Sequence, residues 1–173
     1  MATMYSPPSP ILSGTIVPLA AGRPGVAQTI RAMRRLVNEG KHDLSLLSVA
    51  VTSIYLAPPR DERAEADALL NAVRRRIRYV RDILDIETLA APATTWARQA
   101  GDCDDMATLL ATLAELVGYP TRFVVAGYTD PNELEHVFVQ ILVAGEWLDA
   151  DPTENGPIGY SPPGALIVYV ERV

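Results

Sequence analysis

Helical periodicity runs through this chain as far as Gly118 and then gives way to strand-like alternation, so the first part is patterned for helices and the second for a sheet. Val26, Ile30, Met33 and Val37 recur at three- and four-residue spacing up to Gly40, and residues 43–55 predict a second, more apolar helix. Pro58 and Pro59 break the chain. Asp61 then opens a longer helix whose buried stripe is expected to be Leu69, Val73, Ile77 and Val80. Residues 92–100, including Trp96, read as a connecting segment. The next helix is expected from about Asp102 to Val117, with Gly118 as its left-handed cap.

Beyond Gly118, residues 121–129, 135–143, 146–150 and 165–172 are rich in β-branched and aromatic types and separated by Asp-Pro, Ala-Gly and Pro-Pro-Gly punctuation. Helices followed by a run of strands imply an α+β fold, with N-terminal helices and a central helix packed on an antiparallel sheet. In the second of these strands Val137, Val139, Ile141 and Val143 share one aliphatic face, which leaves His136, Phe138 and Gln140 on the other.

A length of 173 residues, 49% of them apolar, suffices for one domain with a sizeable core. Residues 1–22, with Pro7, Pro8, Pro10 and Pro18, are expected to form an extended arm used for attachment or docking, and residues 23–173 a single domain. The arm has no basic region ahead of its apolar stretch, so a secretory signal is not expected. The longest apolar stretch, residues 44–57, is interrupted by serines and a threonine and is too short to span a bilayer. A net charge of −6 argues against a nucleic-acid surface. Arg74, Arg75, Arg76, Arg78 and Arg81 are expected to face water or to pair with the acidic residues 61–67.

Cys103 is the chain's one cysteine, so no intramolecular disulfide is available, and a reducing setting, cytoplasmic in a bacterial host cell or virion-associated, is expected. It stands in the run Gly101-Asp102-Cys103-Asp104-Asp105, where Asp102 suits an N-cap and Asp105, three positions on, completes an approximate capping box. Cys103 then occupies the first helical position, where the dipole lowers a thiol's pKa while the neighbouring carboxylates raise it. Met106, Leu110, Leu113 and Val117 follow at helical spacing and turn the sulfur toward the sheet.

Nucleophilic use of a thiol requires a base and a group that orients the base, and the sequence offers His136 followed by Asp149 and Asp151. Alternation places both aspartates on one face with Trp147; Pro152 makes Asp151 the more constrained. His42, between Lys41 and Asp43, receives no role. No close ligand pair such as Cys-x-x-Cys supports a metal, and no cofactor is implied. Residues 156–164 read as a loop beside the site.

Gly101-Asp102-Cys103 opening a helix, Gly118-Tyr119-Pro120-Thr121-Arg122-Phe123 after it, His136-Val137-Phe138-Val139, and Trp147 ahead of Asp151-Pro152-Thr153 together resemble the transglutaminase-like superfamily of papain-type folds. The resemblance covers roughly residues 77–153 and implies Cys103 as nucleophile, His136 as base and Asp151 as orienting carboxylate. Asp149 has no counterpart. Gln28-Thr29-Ile30, Met33 and the Gly-Asp-Cys-Asp-Asp run are similar to small phage-encoded members. Asp104 and Asp105 set the chain apart from the tissue transglutaminases, and without a calcium-type loop no calcium dependence is implied.

The expected function is thiol-dependent acyl transfer on a peptide or protein amide, ending in hydrolysis or transamidation. The Cys103 N–H, with a second donor from around Trp96 or Gln99, is expected to support the oxyanion, with Asp149 and Trp147 near the site. The competing expectation is a catalytically silent module, for instance a phage assembly or virion component that meets a phage or host protein through its N-terminal arm.

Overall fold

The computed structural model describes residues 23–81, 88–129, 135–161 and 163–173. The arm expected over residues 1–22 lies outside them. The elements are α1 (Arg23–Gly40), α2 (Leu44–Tyr55), α3 (Glu62–Arg76), β1 (Arg78–Tyr79), α4 (Pro92–Arg98), β2 (Ala100–Gly101), α5 (Cys103–Leu116), β3 (Thr121–Gly127), β4 (His136–Val143), β5 (Glu146–Ala150) and β6 (Ile167–Arg172).

Local chemistry sets the helix starts. The Asp43 carboxylate accepts hydrogen bonds from Ser45 N (2.8 Å) and Leu46 N (3.3 Å), and that of Asp61 accepts from Ala64 N (3.0 Å), satisfying N–H groups that have no partner within the helix. Ile30, Met33 and Val37 of α1 are buried as their spacing predicts. Helix α5 is enclosed on every side: its residues from Asp104 to Ala114 are all buried, with α1, α2, α3 and α4 around it and β3 and β4 beneath.

The four-stranded sheet has the order β5-β4-β3-β6, each pair antiparallel, so the fold is α+β with the cysteine-bearing helix packed on the sheet. Val137, Val139, Ile141 and Val143 join Phe123 and Val125 in the core under α5, whereas Val124, Ala126 and Phe138 form a smaller cluster on the opposite face with Tyr128. Ala144 and Gly145 both have positive φ, 50° and 87°, as a two-residue type I′ turn between β4 and β5 requires. None of the described helices is long and apolar enough to cross a membrane.

Three expectations are corrected. Helix α3 stops at Arg76 because Ile77 turns extended, and β1 pairs in parallel with β2, Tyr79 opposite Gly101. Val80 therefore leaves the buried stripe and is 43% exposed. Residues 92–98 form helix α4 rather than a simple connection; Pro92 opens it, where its missing N–H costs nothing. The basic stretch is not one solvated face. Arg74 donates from Nη1 to Gly156 O and from Nη2 to Asp151 O, each at 2.6 Å, and Arg76 lies over the Trp96 ring at 5.1 Å.

Candidate active site

Asp102 is the N-cap of α5, its Oδ1 accepting from Asp105 N at 3.1 Å, and Cys103 is the first helical residue. Asp105 also makes a tertiary bond, its Oδ1 accepting from Ala90 N at 2.8 Å. Cys103 is half-buried. Its Sγ donates to Asp104 Oδ1 at 3.4 Å and faces the backbone N–H of Val137.

Burial, more than the neighbouring carboxylates, opposes the thiolate. Burial pushes the Cys103 thiol far up, Asp104 and Asp102 push it further, and the Val137 N–H only partly opposes them. Both effects favour the protonated thiol.

His136 opens β4, and Val139 pairs with Ala150, so the residue following β5 stands beside the beginning of β4. Asp151 is that residue. His136 Nε2 lies 2.6 Å from Asp151 Oδ2, and the Asp151 side chain is fully buried. Its Oδ1 accepts from Thr153 N (2.9 Å) and Thr153 Oγ1 (2.7 Å), an Asx turn across Pro152. Burial raises the Asp151 carboxyl, but the bonds from His136 and Thr153 outweigh it and hold the group below the usual carboxylate range. An ionised Asp151 fixes the proton on Nε2 and leaves Nδ1 as the ring's accepting nitrogen. The imidazole is held between Tyr128 and Phe138, at centroid distances of 6.5 and 6.1 Å.

The other expected residues lie elsewhere. Asp149 pairs in register with Gln140, accepts from its Nε2 at 2.5 Å and also from Ser161 Oγ, so it belongs to the sheet rather than to the imidazole. Trp147 stacks under Arg122 at 4.3 Å. Trp96 sits in α4 against Arg76, and Gln99 is an exposed left-handed residue whose carbonyl accepts from Arg78 N. Neither these four nor Cys103 and Asp151 line the cleft beside His136.

That cleft, of about 540 Å³, is bounded by Tyr79, Arg81, Tyr128, Thr153 and Glu154 together with the imidazole. Thr153 was legible in the Asp-Pro-Thr turn. Tyr79, Arg81 and Tyr128 carry no local signal, since only the β1–β2 pairing and the exit of β3 bring them there. Burial and the nearby Cys103 and Asp102 push the Tyr79 hydroxyl up, and a hydrogen bond with Arg81 opposes them. Among the described residues no group of three or more His, Cys, Asp or Glu is arranged to hold a metal ion.

Helix α5, with Cys103 at its first position, packs on β4, the strand that His136 opens. The sequence model of the Transglutaminase-like superfamily matches residues 50–152, and the chain belongs to that superfamily. Two crystal structures share the fold. One is a candidate cysteine protease from Cytophaga hutchinsonii (15% identity, TM-score 0.52), the other a candidate protease from Parabacteroides distasonis (14% identity, TM-score 0.55). In each case 75% of this chain is covered, against 48% of the first protein and 27% of the second, so the chain spans half of one and about a quarter of the other. No curated protein matches the sequence.

Proposed function

We propose that the chain is a thiol-dependent acyl-transfer enzyme acting on peptide or protein amides, with Cys103 as nucleophile, His136 as general base and acid, and Asp151 as the group that orients the ring. The observation that carries this reading is the 2.6 Å contact between His136 Nε2 and a fully buried, ionised Asp151, which frees Nδ1 for the thiol. The Val137 N–H against the sulfur supports it, because Val137 is the residue next to His136 along β4.

In this reading the Cys103 proton passes to His136 Nδ1 as the sulfur attacks the amide carbonyl, and the same proton then leaves on the departing amine as the C–N bond breaks. The product is a thioester on Cys103. Water resolves it to an acid, or an incoming amine to a new amide. The Cys103 N–H at the start of α5 is suited to bind the oxyanion. Because burial and Asp104 oppose ionisation of the resting thiol, this reading has proton transfer accompany substrate attack rather than precede it.

The thiol's bond to Asp104 also favours a second reading, a module that keeps the fold without turnover. Active-site titration with 4-nitrophenyl acetate separates the two. The enzymatic reading expects a burst of one nitrophenolate per chain, an acetyl mass increment on Cys103, no burst in Cys103→Ala and a slowed burst in His136→Ala. A wild-type chain that gives neither burst nor acetyl adduct is the silent module.

A further inference from the structure

Helix α3 presents a polar face to the loop that carries Asp151. Arg63 Nη2 donates to Ile158 O at 2.7 Å, Asp67 Oδ1 accepts from Ile158 N at 3.2 Å, and Arg74 donates to both Asp151 O and Gly156 O at 2.6 Å. Positions 63, 67 and 74 are four and seven residues apart, one face of a helix. The three side chains hold the loop by its backbone at Asp151, Gly156 and Ile158.

We propose that Arg74 is a positioning residue for the site: by gripping the Asp151 carbonyl from α3, it fixes where the Asp151 carboxylate stands and hence how the His136 ring is turned. The chain of contacts is short. Arg74 Nη2 holds the Asp151 carbonyl, the Asp151 carboxylate lies 2.6 Å from His136 Nε2, and the Asx turn to Thr153 leaves that side chain little freedom. The grip on Gly156 O closes the turn from its far end. Arg74 Nε is buried and has no hydrogen-bond partner. A guanidinium desolvated in this way to reach two carbonyls does more than a solvated arginine on a helix face, and lysine, with a single ammonium, cannot span both. Asp151, Asp67 and Glu154 favour its charge against the cost of burial.

This inference rests on the proposed role of His136 and Asp151, so its test reads the imidazole directly and does not depend on turnover. The chain has two histidines, and His42, exposed and remote in sequence from the site, serves as an internal reference. In ¹⁵N spectra of the full chain, wild-type His136 should show the single tautomer protonated at Nε2. In Arg74→Ala it should shift to the tautomer mixture shown by His42, and in Arg74→Lys to an intermediate position. If the chain acylates, the burst rate should fall about 10²-fold in Arg74→Ala with the half-saturating ester concentration unchanged. Low-millimolar guanidinium should restore part of it. An unchanged His136 tautomer in folded Arg74→Ala overturns the proposal. Should that variant fail to fold, an unchanged tautomer in Arg74→Lys overturns it equally. Loss of the burst in the wild type sinks the acyl-transfer reading and leaves this test standing.

Discussion

Gly101 packs so closely on Asp105 that a Cβ at position 101 would stand 2.6 Å from Asp105 Cβ and 3.2 Å from Thr95 Cγ2. The contact joins β2 to the first turn of α5, where Asp105 also holds Ala90 N. Overpacking of this kind costs about 1–3 kcal/mol, so Gly101→Ala should lower the urea midpoint with the slope unchanged. Its displacement of the α5 start should also slow alkylation or acylation of Cys103.

Asp149→Asn and Asp151→Asn separate the two carboxylates that alternation leaves equivalent. Asp149 is bound to Gln140 and Ser161, so its substitution should leave nitrophenyl ester burst kinetics within about twofold of wild type. Asp151→Asn removes the charge that fixes the His136 tautomer and should slow the burst by about 10²–10⁴-fold. The opposite ranking would place the orienting group at Asp149.

The Asp104 carboxylate is the nearest charge acting against the Cys103 thiolate. Asp104→Asn should therefore lower the thiol's pKa, increase its ionised fraction and raise the iodoacetamide rate at pH 8, by about tenfold for each pH unit of downward shift. Because burial still opposes ionisation, the thiol should remain above an ordinary cysteine. An unchanged rate would mean that Asp104 does not hold the thiol up and that burial and Asp102 protect the sulfur without it.

Stability should follow the same two groups in opposite directions of pH. The folded chain holds the Cys103 proton more tightly than the unfolded chain, so this contribution is complete below about pH 8.5 and is lost as pH rises beyond it. Asp151 is held below its ordinary value; its contribution is complete above about pH 4 and is lost as pH falls. Urea titrations should show an alkaline decline that Cys103→Ala flattens and an acid decline that Asp151→Asn flattens.

Most of the fold was legible because it follows from short-range patterns. The aliphatic series Val137, Val139, Ile141 and Val143 predicted both β4 and its buried face, and Asp102 predicted the start of α5. The two-residue strands β1 and β2 were not legible: their pairing joins Tyr79 to Gly101, and two residues are too few to show alternation. Arg74 looked like one more arginine in a basic run, since its partners lie 77 and 82 residues away. Trp147 read as a neighbour of the site, yet the β4–β5 register sets it beside Arg122 instead.

The order of residues by itself determined most of the helices, the four strands of the main sheet and the capped helix start beneath Cys103, because propensity, periodicity and capping act over a few residues. Alternation along the strand left Asp149 and Asp151 equivalent, and tertiary structure brought Asp151 to His136, turned Asp104 to the sulfur and let α3 grip the loop behind the carboxylate. Hydrogen bonds and charge effects depend on distances of a few ångströms between residues far apart in the chain. Those distances exist only once the sheet register and the seat of α5 are fixed.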